Sequence, residues 1–410
     1  MFLLLSQPCL AENMEKLEAQ TQIESKTSVL PFAFFSDSMG TALGLGAVSS
    51  GVLQPQASLF GIGVFSSNDS WVYYASALNY QIPQWQQWLF TIDAYNSEFT
   101  EGRYYINDDL SVQGDGVPRE QIITNGREAF VRSQAKYILP WSKGKHGAVD
   151  SLRGPRGISD LPAINSWNPQ ISGTSSIELI AKWQRRDLAE YNAQQTTNEV
   201  VVYSVDLEYD NRNSTHIPSD GGTINFKSNH DFGSDTRPSW HTFELESAMF
   251  FDMGATNWAQ QQAFGLSAWT ADTPTWNDST IIDGEKIMNR PPDYAGVTLG
   301  GWDRLRGYYS GRFFDRSAVA YSAEYRIIPA WQPLKELPVF KTYNIPWWQW
   351  VFFIDAGNVN DNYNLAELHE EFEYSIGSSL RLSIEGVVLR MDYSVSEEES
   401  QFRVLVNQPF

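Results

Sequence analysis

The segment Ser317-Ala318-Val319-Ala320-Tyr321-Ser322-Ala323-Glu324-Tyr325-Arg326-Ile327 alternates between two kinds of side chain. One parity carries valine, tyrosine and isoleucine, and the other carries alanine, serine, Glu324 and Arg326. A period of two residues indicates a β-strand. Because one face is apolar and the other is charged, the strand is expected to border two different environments.

Glycine, arginine and aromatic residues dominate the loop before this strand, Leu299 to Asp315. Four glycines spread among arginines and rings indicate a turn-rich loop that needs positive φ in places. A second stretch, Trp350 to Gly357, reads as another strand and places Asp355 on one face with Phe353 and Gly357. An acid on such a face requires a partner.

Together the two stretches resemble the barrel of the BamA/TamA superfamily of outer-membrane assembly proteins, the bacterial surface antigen family. That superfamily also includes the two-partner secretion transporters. In it, the long sixth extracellular loop folds back into the barrel lumen. The resemblance therefore implies an all-β fold: a transmembrane antiparallel β-barrel of about sixteen strands with such a loop.

Two motifs carry the resemblance residue by residue. The loop motif of the family is matched by Leu305, Arg306, Gly307 and Tyr308. The F-x-D-x-G strand motif is matched by Phe353, Asp355 and Gly357. The resemblance implies that Arg306 meets Asp355 inside the lumen, with Glu324 on the same inward face.

Alternating segments recur along the rest of the chain. They include Val72 to Tyr80, Trp88 to Ala94, Val201 to Tyr209, Phe243 to Phe251, Phe372 to Ile384 and Val387 to Val395. About fifteen such segments can be marked, and one more is expected around Arg103 to Val112. An antiparallel sandwich would also alternate, but several segments hold their pattern for the ~9–11 residues that a tilted membrane strand requires.

This alternation assigns a side of the wall to individual residues. The side chains expected to face lipid are Tyr321, Tyr325, Phe352, Ile354, Tyr374, Leu382, Leu389 and Tyr393. Those expected to face the lumen are Glu324, Asp355, Arg381, Arg390 and Asp392.

Composition favours a barrel in a membrane. Only 42% of residues are hydrophobic, yet the chain carries 15 Trp, 19 Tyr and 23 Phe, an abundance of rings typical of aromatic girdles at two membrane interfaces. No apolar run approaches the ~18 residues of a spanning helix. The net charge of −20 argues against nucleic acid as a partner. It is compatible with cation-bridged lipopolysaccharide, and solvated loops explain it equally well.

Three domains are expected. Residues 1–11, including Cys9, resemble the remnant of a signal peptide, residues 12–30 form a short periplasmic lead-in, and residues 31–410 form the barrel. The lead-in is too short for the POTRA modules of the family. Pro31 to Ser36 together with Gly44 and Gly46 resemble the first strand of the family, in which glycines weaken pairing.

The chain ends with an alternating segment that resembles the assembly signal of the family. Phe402, Val404, Val406 and Phe410 share one parity, although Pro409 interrupts the pattern. Two long polar stretches, Trp141 to Ser175 and Thr270 to Pro292, are predicted to be extracellular loops, because periplasmic turns of such barrels are short.

Motifs of enzymes and metal sites are absent from the sequence. It contains no G-x-x-x-x-G-K-[ST], H-E-x-x-H or G-x-S-x-G, so we expect no catalysis, no metal and no cofactor. An outer-membrane hydrolase that assembles a Ser-His pair on the barrel remains an open alternative.

The resemblance implies a protein of the outer membrane of a Gram-negative-type bacterium that acts in protein insertion or translocation. Its expected partners are outer-membrane lipids and lipopolysaccharide, unfolded outer-membrane proteins and a separate periplasmic partner. Two alternatives stay open. One is a passive or gated pore, and the other is a structural barrel that anchors a periplasmic partner.

Overall fold

The computed structural model describes residues 25–36, 39–106, 119–152, 158, 161–189, 199–337, 345–384, 387–406 and 409–410. Sixteen strands form one antiparallel sheet. They are β1 (Lys26–Ser36), β2 (Gly40–Ser50), β3 (Ser58–Ser66), β4 (Trp71–Tyr80), β5 (Trp88–Ile106), β6 (Glu120–Ile138), β7 (Thr174–Leu188), β8 (Glu199–Asp210), β9 (Gly221–Asp231), β10 (Trp240–Asp252), β11 (Ala259–Asp272), β16 (Ser317–Pro329), β17 (Trp348–Asn360), β18 (Glu373–Ile384), β19 (Val387–Ser396) and β20 (Ser400–Val406). Two short hairpins, β12 (Ser279–Ile282) with β13 (Glu285–Met288) and β14 (Thr298–Leu299) with β15 (Phe313–Phe314), lie between β11 and β16.

Each wall strand pairs with its neighbours in sequence order, and the sheet curls into a nearly closed barrel. The predicted all-β fold with sixteen strands is therefore confirmed. Among the described residues, helix is limited to a few single turns, such as Ala148–Ser151. In the part of the chain that the structure describes, no helix has the length and apolar character needed to cross a membrane.

The two faces of the wall differ as the alternation predicts. Large apolar side chains such as Tyr321, Phe352, Ile354, Tyr374 and Tyr393 are exposed on the outside, and Tyr325, Leu382 and Leu389 share their parity. The charged residues Glu324, Asp355, Arg381, Arg390 and Asp392 are buried inside. An apolar exterior around a charged interior is the arrangement of a barrel in lipid.

Successive connections alternate between the two ends of the barrel. The β11–β16 loop (residues 273–316) defines the loop end, and the β6–β7 segment (residues 139–173) emerges at the other end, the far end. The prediction that Trp141 to Ser175 and Thr270 to Pro292 are both extracellular is therefore wrong. Length misled it, because the long β6–β7 segment lies where barrels of this kind usually have short turns.

Exposed tryptophans mark the far end. Trp85, Trp258 and Trp331 each lie in a connection at that end and are mostly exposed. Amphipathic indole rings favour the boundary between hydrocarbon and water. Their common position therefore agrees with a membrane interface at the far end.

The first strand differs from the prediction in two ways. It begins at Lys26, inside the predicted lead-in, because Lys26 to Leu30 continue the ladder with β2 up to Ser50. The glycines expected to weaken it, Gly44 and Gly46, belong to β2. A Cβ atom at Gly44 would lie within 2.2 Å of the Phe32 ring, so this glycine makes room for an aromatic side chain.

Arg103 to Val112 does not form a separate strand. Arg103 to Ile106 are the end of β5, which continues past an irregularity between Phe99 and Gly102, and residues 107–112 lie outside the described residues. The predicted signal remnant, with Cys9, and residues 12–24 also lie outside them.

The two edges of the sheet face each other. β1 and β20 are neighbours in space, but no ladder of hydrogen bonds joins them among the described residues. We call this gap the seam. Phe402 is exposed on the outer surface, but Phe410, predicted to share its parity, contacts the inward-facing residues Phe250 and Arg326. β20 ends at Val406, so its alternation no longer fixes the side on which Phe410 lies.

Candidate functional site

The tip of the β11–β16 loop is held as a hairpin inside the barrel. β14 pairs with β15, with Leu299 opposite Phe313, and these strands flank residues 300–312. Leu299, Leu305 and Tyr308 are completely buried. They form an apolar cluster with wall residues of β11 and β16, including Trp269, Ala271, Ala318 and Ala320. The tip therefore has its own packed core against the inner wall.

Arg306 lies at the centre of the site. Its guanidinium donates two hydrogen bonds to Asp355, from Nε at 2.9 Å and from Nη2 at 2.6 Å. Nη1 donates to Glu324 at 2.6 Å, and Nη2 also donates to Ser322 at 2.9 Å. With 1% of its surface exposed, this arginine forms a buried, bidentate ion pair of the strong kind. The structure thus brings together the residues that the resemblance paired.

The strand motif fits the loop motif through shape as well as charge. The guanidinium carbon of Arg306 lies 3.5 Å from the centre of the Phe353 ring, a cation–π contact. A Cβ atom at Gly357 would lie 3.2 Å from a methyl group of Leu305. At Gly307, it would lie 2.6 Å from the Cβ atom of Ser375. Each glycine therefore permits a close approach between loop and wall.

Glu324 connects the loop to a larger charged network. Besides Arg306, its carboxylate accepts hydrogen bonds from Arg326 at 2.7 Å and from Arg381 at 2.8 Å. Four arginines (Arg306, Arg326, Arg381, Arg390) and three acids (Glu324, Asp355, Asp392) are buried on this part of the inner wall. A buried carboxylate is stable only when it is paired and hydrogen-bonded, and Glu324 satisfies both conditions.

Burial disfavours a charged side chain, but the neighbouring carboxylates of Asp355 and Glu324 outweigh it and raise the pKa of Arg306 above its ordinary value. Arg306 therefore stays charged. Burial also raises the pKa of Tyr308, and the hydrogen bond from its hydroxyl to Glu373, 2.7 Å long, raises it further.

The last strands supply contacts that the motifs did not predict. Arg403 of β20 donates to the main-chain oxygens of Gly301, Arg306 and Tyr308. Ser394 of β19 donates to the main-chain oxygen of Arg306 at 2.5 Å. The inward parity of both residues was the available signal, since Ser394 shares the parity of Asp392, and Arg403 alternates with the exposed Phe402.

The predicted assembly-signal residues do not join this site. Phe402 lies on the exposed outer surface and Val404 is partly buried. The side chain of Val406 lies outside the described residues. Phe410 is on the inner side, where Arg326 lies over its ring. Among the described residues, no group of three or more His, Cys, Asp or Glu side chains is arranged to hold a metal ion.

Solved structures with a similar fold include CdiB from Escherichia coli, with a TM-score of 0.54 and 12% sequence identity over 93% of this chain. BamA from Haemophilus ducreyi lacking POTRA domains 1–3 is similar over 98% of this chain, with a TM-score of 0.51 and 12% identity. The chain has the fold of a BamA-type barrel. It spans 61% of the CdiB chain and 79% of the BamA chain.

Comparisons at the level of sequence give no relative of this chain. No protein-family model matches the sequence, and no curated protein matches it. At 12% identity the similarity establishes the fold alone.

Proposed function

We propose that this BamA-type barrel resides in the outer membrane of a Gram-negative-type bacterium and acts in the insertion or translocation of other proteins. The observation that carries the proposal is the seam between β1 and β20. In a membrane, unpaired strand edges are costly because no water replaces the missing hydrogen bonds. An edge that stays unpaired is therefore a site at which another strand gains by pairing.

The incoming partner in this proposal is an unfolded outer-membrane protein whose first strand adds to an edge of the seam. Addition of a strand uses main-chain hydrogen bonds, which do not depend on the client sequence. One insertase can therefore serve clients of different sequence. Lipids and lipopolysaccharide contact the apolar outer wall, and a separate periplasmic partner delivers clients.

The β11–β16 loop supports this mechanism by holding one side of the seam. It contacts β16 and β17 through Glu324 and Asp355, and it contacts β19 and β20 through Ser394 and Arg403. These contacts hold the last strands in place, so we expect the seam to open on the side of β1.

A passive pore fits the geometry less well, because the loop tip and its apolar cluster occupy the interior beside β16 to β20. No catalytic step is proposed.

The proposal is tested by reconstituting the protein into liposomes and adding a urea-denatured outer-membrane barrel as the client. Folding is followed by the heat-modifiable mobility of the client on gels. We expect the client to fold faster than in liposomes with an equal amount of a closed porin-type barrel. An equal folding rate in both preparations would exclude insertion as the function.

A further inference from the structure

The β6–β7 segment contacts the barrel at two places on the far end. It first packs at the rim, where Ala148 contacts Leu89 and Ile138. It returns to the wall along the β8–β9 connection (residues 211–220), where the main-chain nitrogen of Ile164 donates to Asp220 at 2.8 Å. Asn211 also donates to the main-chain oxygen of Ser166.

The far end also holds an apolar cluster built from several sides of the barrel. Ile217, Ile328, Trp347 and Val388 each have at most 4% of their surface exposed. They come from the β8–β9 connection, the end of β16, the residue before β17 and the start of β19. β8 and β19 lie on nearly opposite sides of the sheet order. The cluster therefore spans the opening.

Two residues of the segment complete the cluster. Ile158 and Leu161 pack against the four buried side chains. An apolar constriction excludes water and so blocks ions without filling the whole passage. The far end thus holds an apolar cluster of the kind that can close a passage, separate from the charged site around Arg306.

We propose that Ile158 and residues 161–166 form a far-end plug, a second gate that closes the interior at the end opposite the β11–β16 loop. The proposal concerns the resting permeability of the barrel and holds whether or not the protein inserts clients. With a gate at each end, removal of either one alone leaves the interior closed.

The packing around the far-end plug indicates that it can be displaced. A cavity of about 210 Å³ separates part of it from the wall, with Leu161, Pro162 and Ala163 on one side and Asp252 and Gln261 on the other. The buried side-chain oxygen of Gln261 has no hydrogen-bond partner among the described residues. Voids and unpaired polar atoms reduce the free energy that holds an element in place.

Conductance in planar bilayers tests the two-gate arrangement. The loop gate is removed by replacing residues 300–312 with Asn-Gly, because Leu299 and Phe313 are already paired and a two-residue Asn-Gly turn suits such a hairpin. The far-end plug is weakened by I158D together with L161D. I171D is the matched control, since Ile171 lies in the same β6–β7 segment but is 70% exposed. Gel mobility before and after heating verifies that each variant folds.

We expect the loop-tip deletion alone and the plug variant alone to stay closed. The combined variant should show an open probability roughly 10- to 100-fold higher than either parent, the factor that corresponds to burial of one leucine side chain. D220A, which removes the acceptor of the Ile164 nitrogen, should raise the open probability several-fold in the loop-deleted background. I171D in that background should stay closed.

Three results would overturn the proposal. Full conductance of the loop-tip deletion alone would mean that the far end is open. A silent combined variant that has folded would mean that these residues do not form the gate. Equal conductance of I171D and the plug variant in the loop-deleted background would mean that the effect is not specific to the apolar cluster.

Discussion

Replacement of Arg306 by alanine tests the site that holds the loop tip in the barrel. The substitution removes the hydrogen bonds from the guanidinium to Asp355, Glu324 and Ser322, together with the contact on Phe353. Loss of one partner from a buried pair costs about 3–5 kcal/mol, because the other charge is left uncompensated.

The surrounding contacts place Arg306→Ala at the lower end of that range. Asp355 keeps three donors, the main-chain nitrogen of residue 306, Ser322 and Ser375. Glu324 keeps Arg326 and Arg381. The buried network of four arginines and three acids also becomes one of three arginines and three acids, which are equal in number. We therefore expect loop docking to weaken by about 3 kcal/mol, which is about 100-fold in the opening equilibrium.

Asp355→Ala should cost more than Arg306→Ala. It leaves four buried arginines with two acids, and Arg306 keeps only Glu324 and Ser322 as side-chain acceptors. We expect a loss of about 5 kcal/mol. In the double variant, the two losses should be far from additive, because both substitutions remove the same ion pair.

Hydrogen exchange of the loop-tip amides measures these losses. The amides of Gly301 and Tyr308 donate to oxygens within the tip, so both are protected only while the tip is folded. Arg312→Ala is the control, because the Arg312–Glu398 pair is partly exposed and worth at most about 1 kcal/mol. If exchange in Arg306→Ala is no faster than in Arg312→Ala, the buried ion pair does not hold the loop.

Three further substitutions have defined outcomes. Ile354→Lys changes an outward-facing position that is 49% exposed, and it should lower the unfolding free energy in lipid by roughly 2–4 kcal/mol if residue 354 lies near the bilayer midplane. A urea titration measures this free energy. The control Ile281→Lys, in the β12–β13 hairpin, should have little effect on it. Gly307→Ala should accelerate exchange of the loop tip, because the new Cβ atom would meet Ser375; Gly61→Ala, where the contacts are ordinary, should not, and equal exchange in both would contradict the fit. Phe402→Ala should reduce the fraction of heat-modifiable barrel in cells if Phe402 belongs to the assembly signal, and an unchanged fraction would remove it from that signal.

The sequence predicts the strands of the barrel wall well, because the two environments of the wall impose the alternation of side chains. Tyr321 and Glu324 lie on opposite faces for the same reason that their strand alternates: lipid on one side and a polar interior on the other. The contact between Arg306 and Asp355 was implied by the family resemblance, and spacing alone would not have placed a loop residue against a strand that lies some fifty positions later.

Other features depend on pairing and packing that local patterns do not encode. Gly44 was assigned to the first strand because composition does not show which strand a residue joins, whereas its register with Phe32 places it in β2. The end of the barrel from which the β6–β7 segment emerges depends on the count of preceding strands. The length of the segment, on which the prediction rested, does not show it.

Photo-cross-linking at the seam tests whether the barrel opens to a client between β1 and β20. A photoreactive amino acid is placed at Val29 of β1 and, in a separate variant, at the outward-facing Leu207 of β8, whose exposure is similar. Each variant is illuminated in liposomes while a denatured outer-membrane barrel folds. We expect cross-links to the client from position 29 and none from position 207. Equal cross-linking from both positions, or none from position 29, would contradict opening at the seam.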